Sequence, residues 1–167
     1  MTAHGSVFLV GFMGSGKTSV GRELARLLGM EFVDLDERIA IRSGRSVQVL
    51  FAEEGEAWFR EREREALLGI ESLLAAGAVI ATGGGTFIDP GLRAWMLERG
   101  RVVWLDATLD AIERRIPRDG TRPLFGDRPA LERMHAQRRP AYAEAPMRFD
   151  TSETDVATTA LAIRDAL

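Results

Sequence analysis

Residues 11–18 read Gly-Phe-Met-Gly-Ser-Gly-Lys-Thr, with the spacing G-x-x-x-x-G-K-T. An apolar run, Val7 to Val10, precedes them, and a helix-like run, Ser19 to Leu28, follows. Strand, glycine-rich turn and helix start come in the order that a phosphate-binding loop needs. Successive backbone N–H groups can turn towards one anion there, with the positive end of the helix dipole behind them. Lys17 would reach β- and γ-phosphate oxygens, and the Thr18 hydroxyl would take one coordination position on Mg²⁺. Composition sharpens the reading. Of 22 Lys and Arg residues, one (Lys17) is lysine and 21 are arginine. Lysine is kept where a slim ammonium must lie beside phosphates and a planar guanidinium would substitute poorly.

A second group of residues could serve whatever accepts the phosphoryl group. Asp34 and Asp36 form an Asp-x-Asp at the end of a short apolar run. In a strand, residues two apart face the same way, so both carboxylates can point into one crevice. One can hold Mg²⁺, directly or through water, while the other accepts a hydrogen bond or proton from a hydroxyl. The plainer reading makes Asp36 a helix cap. Asp106 competes for the metal, because Val102-Val103-Trp104-Leu105-Asp106 is an apolar strand ending in aspartate; it too could be a cap. Arg60 opens the run Arg-Glu-Arg-Glu-Arg-Glu, whose plain reading is a solvated helix face. Arg60, Leu67 and Leu74 are nevertheless seven apart, which places Arg60 on the apolar stripe, suited to a bidentate grip on a carboxylate or phosphate.

Gly83, Gly84 and Gly85 remove three side chains at a strand end, either for close approach of a ligand or as a plain loop. Arg114, Arg115, Arg118 and Arg122 crowd the long segment after residue 113, as a solvated loop or as a lid that neutralises phosphoryl charge and excludes water. Arg138, with Met134 and Tyr142 one turn to either side, is a second candidate anion grip.

The elements that must position these residues follow from periodicity. Short strands are expected over 5–10, 31–34, 78–82, 101–106 and 147–150. Helices are expected after the glycine loop to Leu28, over 37–41, from Val47 behind a Ser46 cap, over 56–75, from Pro90 to Glu98, from Leu109 behind a Thr108 cap, up to Ala143, and over 155–167. Strands alternating with helices predict a parallel α/β sheet covered on both faces, with ligands beyond the C-terminal strand ends. The phosphate loop, Asp34, Asp36, the glycine triplet and Asp106 all fall there. The chain of 167 residues reads as one domain, 46% hydrophobic and 28% charged, with a net charge of −3. That balance gives no reason to expect nucleic acid or membrane partners. Zero cysteines removes disulfides, thiolate zinc, Fe–S clusters and a thiol nucleophile. Without a leader or a long apolar run, a cytoplasmic protein is the default.

Six pieces at compatible spacing resemble the shikimate kinase family, within the nucleoside-monophosphate-kinase-like P-loop enzymes. They are G-F-M-G-S-G-K-T-S-V-G-R at 11–22, D-L-D at 34–36, F-A-E-E-G-E-x-x-F-R at 51–60, T-G-G-G at 82–85, T-R-P-L at 121–124 and R-x-P-x-Y at 138–142. The resemblance implies a three-layer fold with a five-stranded parallel sheet, an acceptor-binding segment at about 35–62 and a lid at about 113–126. It implies transfer of phosphate from ATP to the 3-hydroxyl of shikimate, on the route to chorismate and the aromatic amino acids, by a monomer using Mg²⁺. Gly14, Ser15, Gly16, Lys17, Thr18, Ser19, Arg115 and Arg122 would serve ATP, with Lys17, Asp36 and Arg122 catalytic. Thr18 and Asp34 would serve the metal, leaving Asp106 structural. Asp36, Arg60, the three glycines and Arg138 would bind shikimate, Arg60 and Arg138 gripping its carboxylate. The nearest rival is a gluconate-type kinase of the same fold. A rival of a different class is a nucleotide-dependent switch or regulatory module, although a chain with no asparagine cannot carry the guanine-reading N-K-x-D.

Overall fold

The computed structural model describes residues 5–116 and 126–167. Five strands, β1 (Val7–Val10), β2 (Glu31–Asp34), β3 (Ala78–Ala81), β4 (Arg101–Asp106) and β5 (Met147–Asp150), form one parallel sheet in the order β2-β3-β1-β4-β5. Between them run α1 (Lys17–Leu28), α2 (Leu35–Ser43), α3 (Val47–Glu54), α4 (Glu56–Leu68), α5 (Glu71–Leu74), a 3₁₀ turn over Thr86–Ile88, α6 (Pro90–Arg99), α7 (Leu109–Arg115), α8 (Arg128–Tyr142) and α9 (Val156–Ala166).

Alternation along the buried strands creates two cores. Val7 and Leu9 of β1, with Val103 and Leu105 of β4, pack beneath Val20 and Leu24 of α1 and Ala160 and Ile163 of α9. Phe8, Val10, Val102 and Trp104 face the other way, onto Ile39, Leu50, Phe59, Met96, Leu131 and Tyr142. Both faces are covered, which is why β1, β3 and β4 read as continuous apolar runs. With β1 central, the turn that follows it opens at the middle of the sheet's C-terminal edge.

Local expectations hold at the caps. Ser46 accepts from Val49 N at 3.3 Å, Thr108 accepts from Ala111 N at 3.2 Å, and Asp89 caps the helix that Pro90 opens. Two expectations fail. The helix over 56–75 is broken: α4 ends at Leu68, and Ile70 turns fully into the core before the four-residue α5. Burying that isoleucine is worth about 1.5–3 kcal/mol, and the turn still makes backbone bonds from Gly69 N to Glu65 O at 2.9 Å and from Leu73 N to Ile70 O at 2.8 Å. The premise that Asp34 and Asp36 share a strand also fails. Asp34 ends β2 and caps α2, accepting from Glu37 N at 3.1 Å, so Asp36 stands in the first helical turn.

Candidate active site

The loop after β1 is held open by its glycines. A Cβ on Gly11, at φ +146°, would collide with the carbonyl oxygen of Leu105, and Gly16 enters α1 from the left-handed region at φ +100°. The helices α2, α3, α6, α7, α8 and α9 each carry a side-chain cap from Asp34, Ser46, Asp89, Thr108, Asp127 or Asp155. No described side chain caps α1, α4 or α5, and of these three only α1 has no acidic residue in its first turn. The leading N–H groups of α1 are left for an anion. Ser15 is fully buried; its Oγ has no partner among the described residues, and its carbonyl accepts from Thr151 Oγ1 at 2.9 Å. The Lys17 ammonium rests on the loop, donating to the carbonyls of Gly11 (2.7 Å) and Phe12 (2.9 Å). Thr18 Oγ1 donates to Asp34 Oδ2 at 2.5 Å, so a hydroxyl and a carboxylate meet beside the helix start. Ser19, next along α1, is exposed.

The acceptor-side candidates converge on the glycine triplet. A Cβ on Gly83 would strike Glu63 Oε1 and stand 2.9 Å from Asp36 Oδ1; on Gly85 it would strike the Arg60 guanidinium; on Gly84 it would stand 3.3 Å from Arg138 Nη1. The triplet is therefore the floor on which four charged side chains lie. Arg60 and Arg138 line one cleft of about 240 Å³ together with Glu63, Gly85, Thr86 and Leu92. Arg60 donates to Glu63 Oε2 at 2.5 Å and to Glu56 Oε1 at 3.3 Å. Burial lowers the proton affinity of Arg60, but the Glu63 charge and hydrogen bond outweigh it, and its pKa ends above the ordinary value.

Asp36 Oδ1 is buried without a hydrogen-bond partner among the described residues. Burial first, then the charges of Glu63 and Asp34, push its pKa from 3.8 up to about 6, against the downward pull of Lys17 and Arg60. A carboxylate poised there, facing an ammonium and a guanidinium, can take a hydrogen bond or a proton from a hydroxyl near neutral pH.

The adjacent arginines separate cleanly. Arg139 grips both oxygens of Asp106 at 2.6 and 3.0 Å, Arg148 reaches the same carboxylate, and both guanidinium groups stack on Trp104. Asp106, the rival metal residue, is thus taken up by two arginines. Arg115 donates to the carbonyls of Thr151 and Ser152, beside the turn that follows β5, and Arg114 pairs with Glu153 at 2.6 Å. Arg118 and Arg122, with the motif at 121–124, lie outside the described residues.

Glu63 was not among the sequence candidates. It is 1% exposed, holds Arg60 and accepts from Thr86 Oγ1 at 3.2 Å. Its signal was the helical stripe through Phe59, Ala66 and Leu67, which the alternating charges masked.

Among the described residues no three His, Cys, Asp or Glu side chains gather to hold a metal, and no helix is long and apolar enough to cross a membrane. The shikimate kinase family model matches residues 13–167. The shikimate kinase of Novosphingobium aromaticivorans is 41% identical over 95% of this chain and 85% of its own length. That of Moorella thermoacetica is 42% identical, covering 98% of this chain and 94% of its own. The solved structure of the Acinetobacter baumannii shikimate kinase in complex with shikimate superposes with a TM-score of 0.90 at 36% identity, over 99% of this chain and 93% of that one. With the phosphate loop, the Asp36 carboxylate and two arginines gathered about the glycine triplet, these similarities lead to one conclusion: the chain belongs to the shikimate kinase family.

Proposed function

We propose that this chain transfers the γ-phosphoryl group of ATP to the 3-hydroxyl of shikimate, working as a cytoplasmic monomer on the route to chorismate. The observation that carries the assignment is the convergence of Asp36, Arg60 and Arg138 on the glycine triplet, one residue-width from the phosphate loop. A hydroxylated carboxylic acid matches that set: its carboxylate lies between Arg60 and Arg138, and its hydroxyl faces Asp36. The segment at about 35–62 then serves as the acceptor-binding part, and that at about 113–126 as the lid.

Thr18 and Asp34 would hold Mg²⁺. Two hard oxygen donors 2.5 Å apart suit an ion that takes its other ligands from phosphates and water. When bound, the ion neutralises charge on the β- and γ-phosphates. Lys17, released from the carbonyls of Gly11 and Phe12, moves onto the same phosphates, which the uncapped start of α1 cradles through the 14–19 backbone. Asp36 orients the attacking hydroxyl in line and accepts its proton as the new P–O bond forms and the bond to the ADP oxygen breaks. The family resemblance adds Arg122 over the phosphates and Arg115 beside the adenine.

A coupled ADP-release assay with shikimate, gluconate and nucleoside monophosphates tests the acceptor. Turnover is expected with shikimate alone; faster turnover of gluconate would move the chain to the rival kinase. Arg60→Ala should raise the KM for shikimate roughly 10- to 100-fold, the loss of a charge-assisted grip, with a smaller change in kcat. An unchanged KM removes Arg60 from the acceptor site.

A further inference from the structure

Tyr142, the only tyrosine of the chain, is 2% exposed, and its hydroxyl donates to the carbonyl of Gly84 at 2.5 Å. It stands one helical turn beyond Arg138 on α8, so both reach the same side of that helix. Gly84 is the middle of the triplet and has a second neighbour. A Cβ there would stand 3.5 Å from Met13 N as well as 3.3 Å from Arg138 Nη1, so Gly84 separates the phosphate loop from the arginine. The loop also supplies a ring beside that guanidinium: Arg138 Cζ lies 5.7 Å from the centroid of Phe12, which is buried and packed edge-on against His135. Arg138 is thus framed by a loop phenyl and by a glycine that has no side chain to hold it in place. The Tyr142 hydroxyl ties that glycine, and the ring bearing the hydroxyl is seated against Trp104, with centroids 6.0 Å apart.

We infer that Tyr142 is a positioning residue for the acceptor: by fixing the Gly84 carbonyl, its hydroxyl sets where Arg138 lies relative to the phosphate loop. The inference rests on the reading of Arg138 as a carboxylate grip. A proton-transfer role does not suit this phenol. Burial pushes its pKa up to about 12, more than the Arg138 charge, a hydrogen bond with the Arg138 guanidinium and the Arg60 charge pull it down. It stays a neutral donor throughout the working pH range.

The test uses Tyr142→Phe, which keeps the ring and removes the tie, beside Trp104→Phe, which loosens the ring and keeps the tie. Arg138→Ala and the Tyr142→Phe/Arg138→Ala pair complete the set, all assayed with shikimate and ATP well below each variant's unfolding transition. Tyr142→Phe should raise the shikimate KM about tenfold, leave the ATP KM unchanged, lower kcat less than about threefold, and keep the wild-type pH profile. Trp104→Phe should lower Tm without moving the shikimate KM. The pair should have the KM of Arg138→Ala alone, because the two residues act as one unit. If Arg138→Ala raises KM but Tyr142→Phe only lowers Tm, or if their KM effects simply multiply, the positioning role is wrong and the grip stands. If Arg138→Ala leaves KM unchanged, the grip reading fails and the inference falls with it.

Discussion

Asp36→Asn should abolish turnover, lowering it roughly 10³-fold or more, and at the same time make the ligand-free protein harder to melt at pH 7. The first effect follows from its place. The carboxylate lies against Gly83, faced by Lys17 and Arg60, and an amide there can no longer accept the hydroxyl proton. The second follows from its proton affinity. Unfolded, this group titrates near 3.8; folded, it titrates at about 6. The folded state therefore binds the proton more tightly, and the stability it contributes falls as pH rises through that interval and stays lost above it. An asparagine has no charge to bury, which relieves a penalty on the order of 1–3 kcal/mol. Thermal melts in EDTA without nucleotide, at pH 4 and at pH 7, read this directly: the variant's advantage should appear only at the higher pH. In wild-type kinetics the counterpart is a kcat/KM that declines as pH drops through about 6. Near-normal kcat in the variant would sink the assigned role. A lower Tm at pH 7 would sink the account of a strained carboxylate.

Lys17→Met should be the most damaging change in the nucleotide site, with kcat down roughly 10³-fold or more and the ATP KM altered far less. The ammonium already sits within hydrogen-bond reach of two loop carbonyls, Gly11 and Phe12, so a short swing would bring its charge onto the transferring group without a search through solvent. Methionine matches the stem in length and carries no charge, so folding should survive. Lys17→Arg should fail to restore activity, since a branched planar head cannot thread the same loop. Circular dichroism and a Tm close to wild type, together with lost ADP release, would support this. Appreciable turnover by the methionine variant would move the charge-neutralising role elsewhere.

Legibility in the sequence followed the range of the physics. The phosphate loop, the caps at Ser46 and Thr108 and the apolar strands depend on neighbours a few residues away, and each stands where its pattern placed it. Asp34 and Asp36 were legible as a pair, but their geometry was not. The chain switches from strand to helix between them because Asp34 serves Glu37 N as a cap, and a cap competes locally with continued pleating. The break after Leu68 escaped because it is decided by a pocket that accepts Ile70, which is tertiary information. Glu63 escaped for a related reason. Its burial needs the missing side chain of Gly83, twenty residues on, and the hydroxyl of Thr86; a run of alternating charges offers no hint of either. Likewise, nothing local distinguishes Arg138 from Arg139. Asp106 and Trp104 claim the second and leave the first to the cleft.

The hydrogen bond from Thr151 to the Ser15 carbonyl joins groups 136 residues apart, and it bears on how the molecule assembles. In chain order the phosphate loop precedes its partners: β1 pairs with β3 and β4, α1 shares its core with α9, and the loop itself is pinned by the turn after β5. β3 and β4 follow it at a distance, and the turn after β5 and α9 follow at a greater one. Loop-closure entropy must be met before these distant contacts return anything, so the nucleotide site should be the last feature to mature. A nascent or refolding chain would gain its acceptor-side helices first and become competent for ATP only when β5, the turn after it and α9 dock.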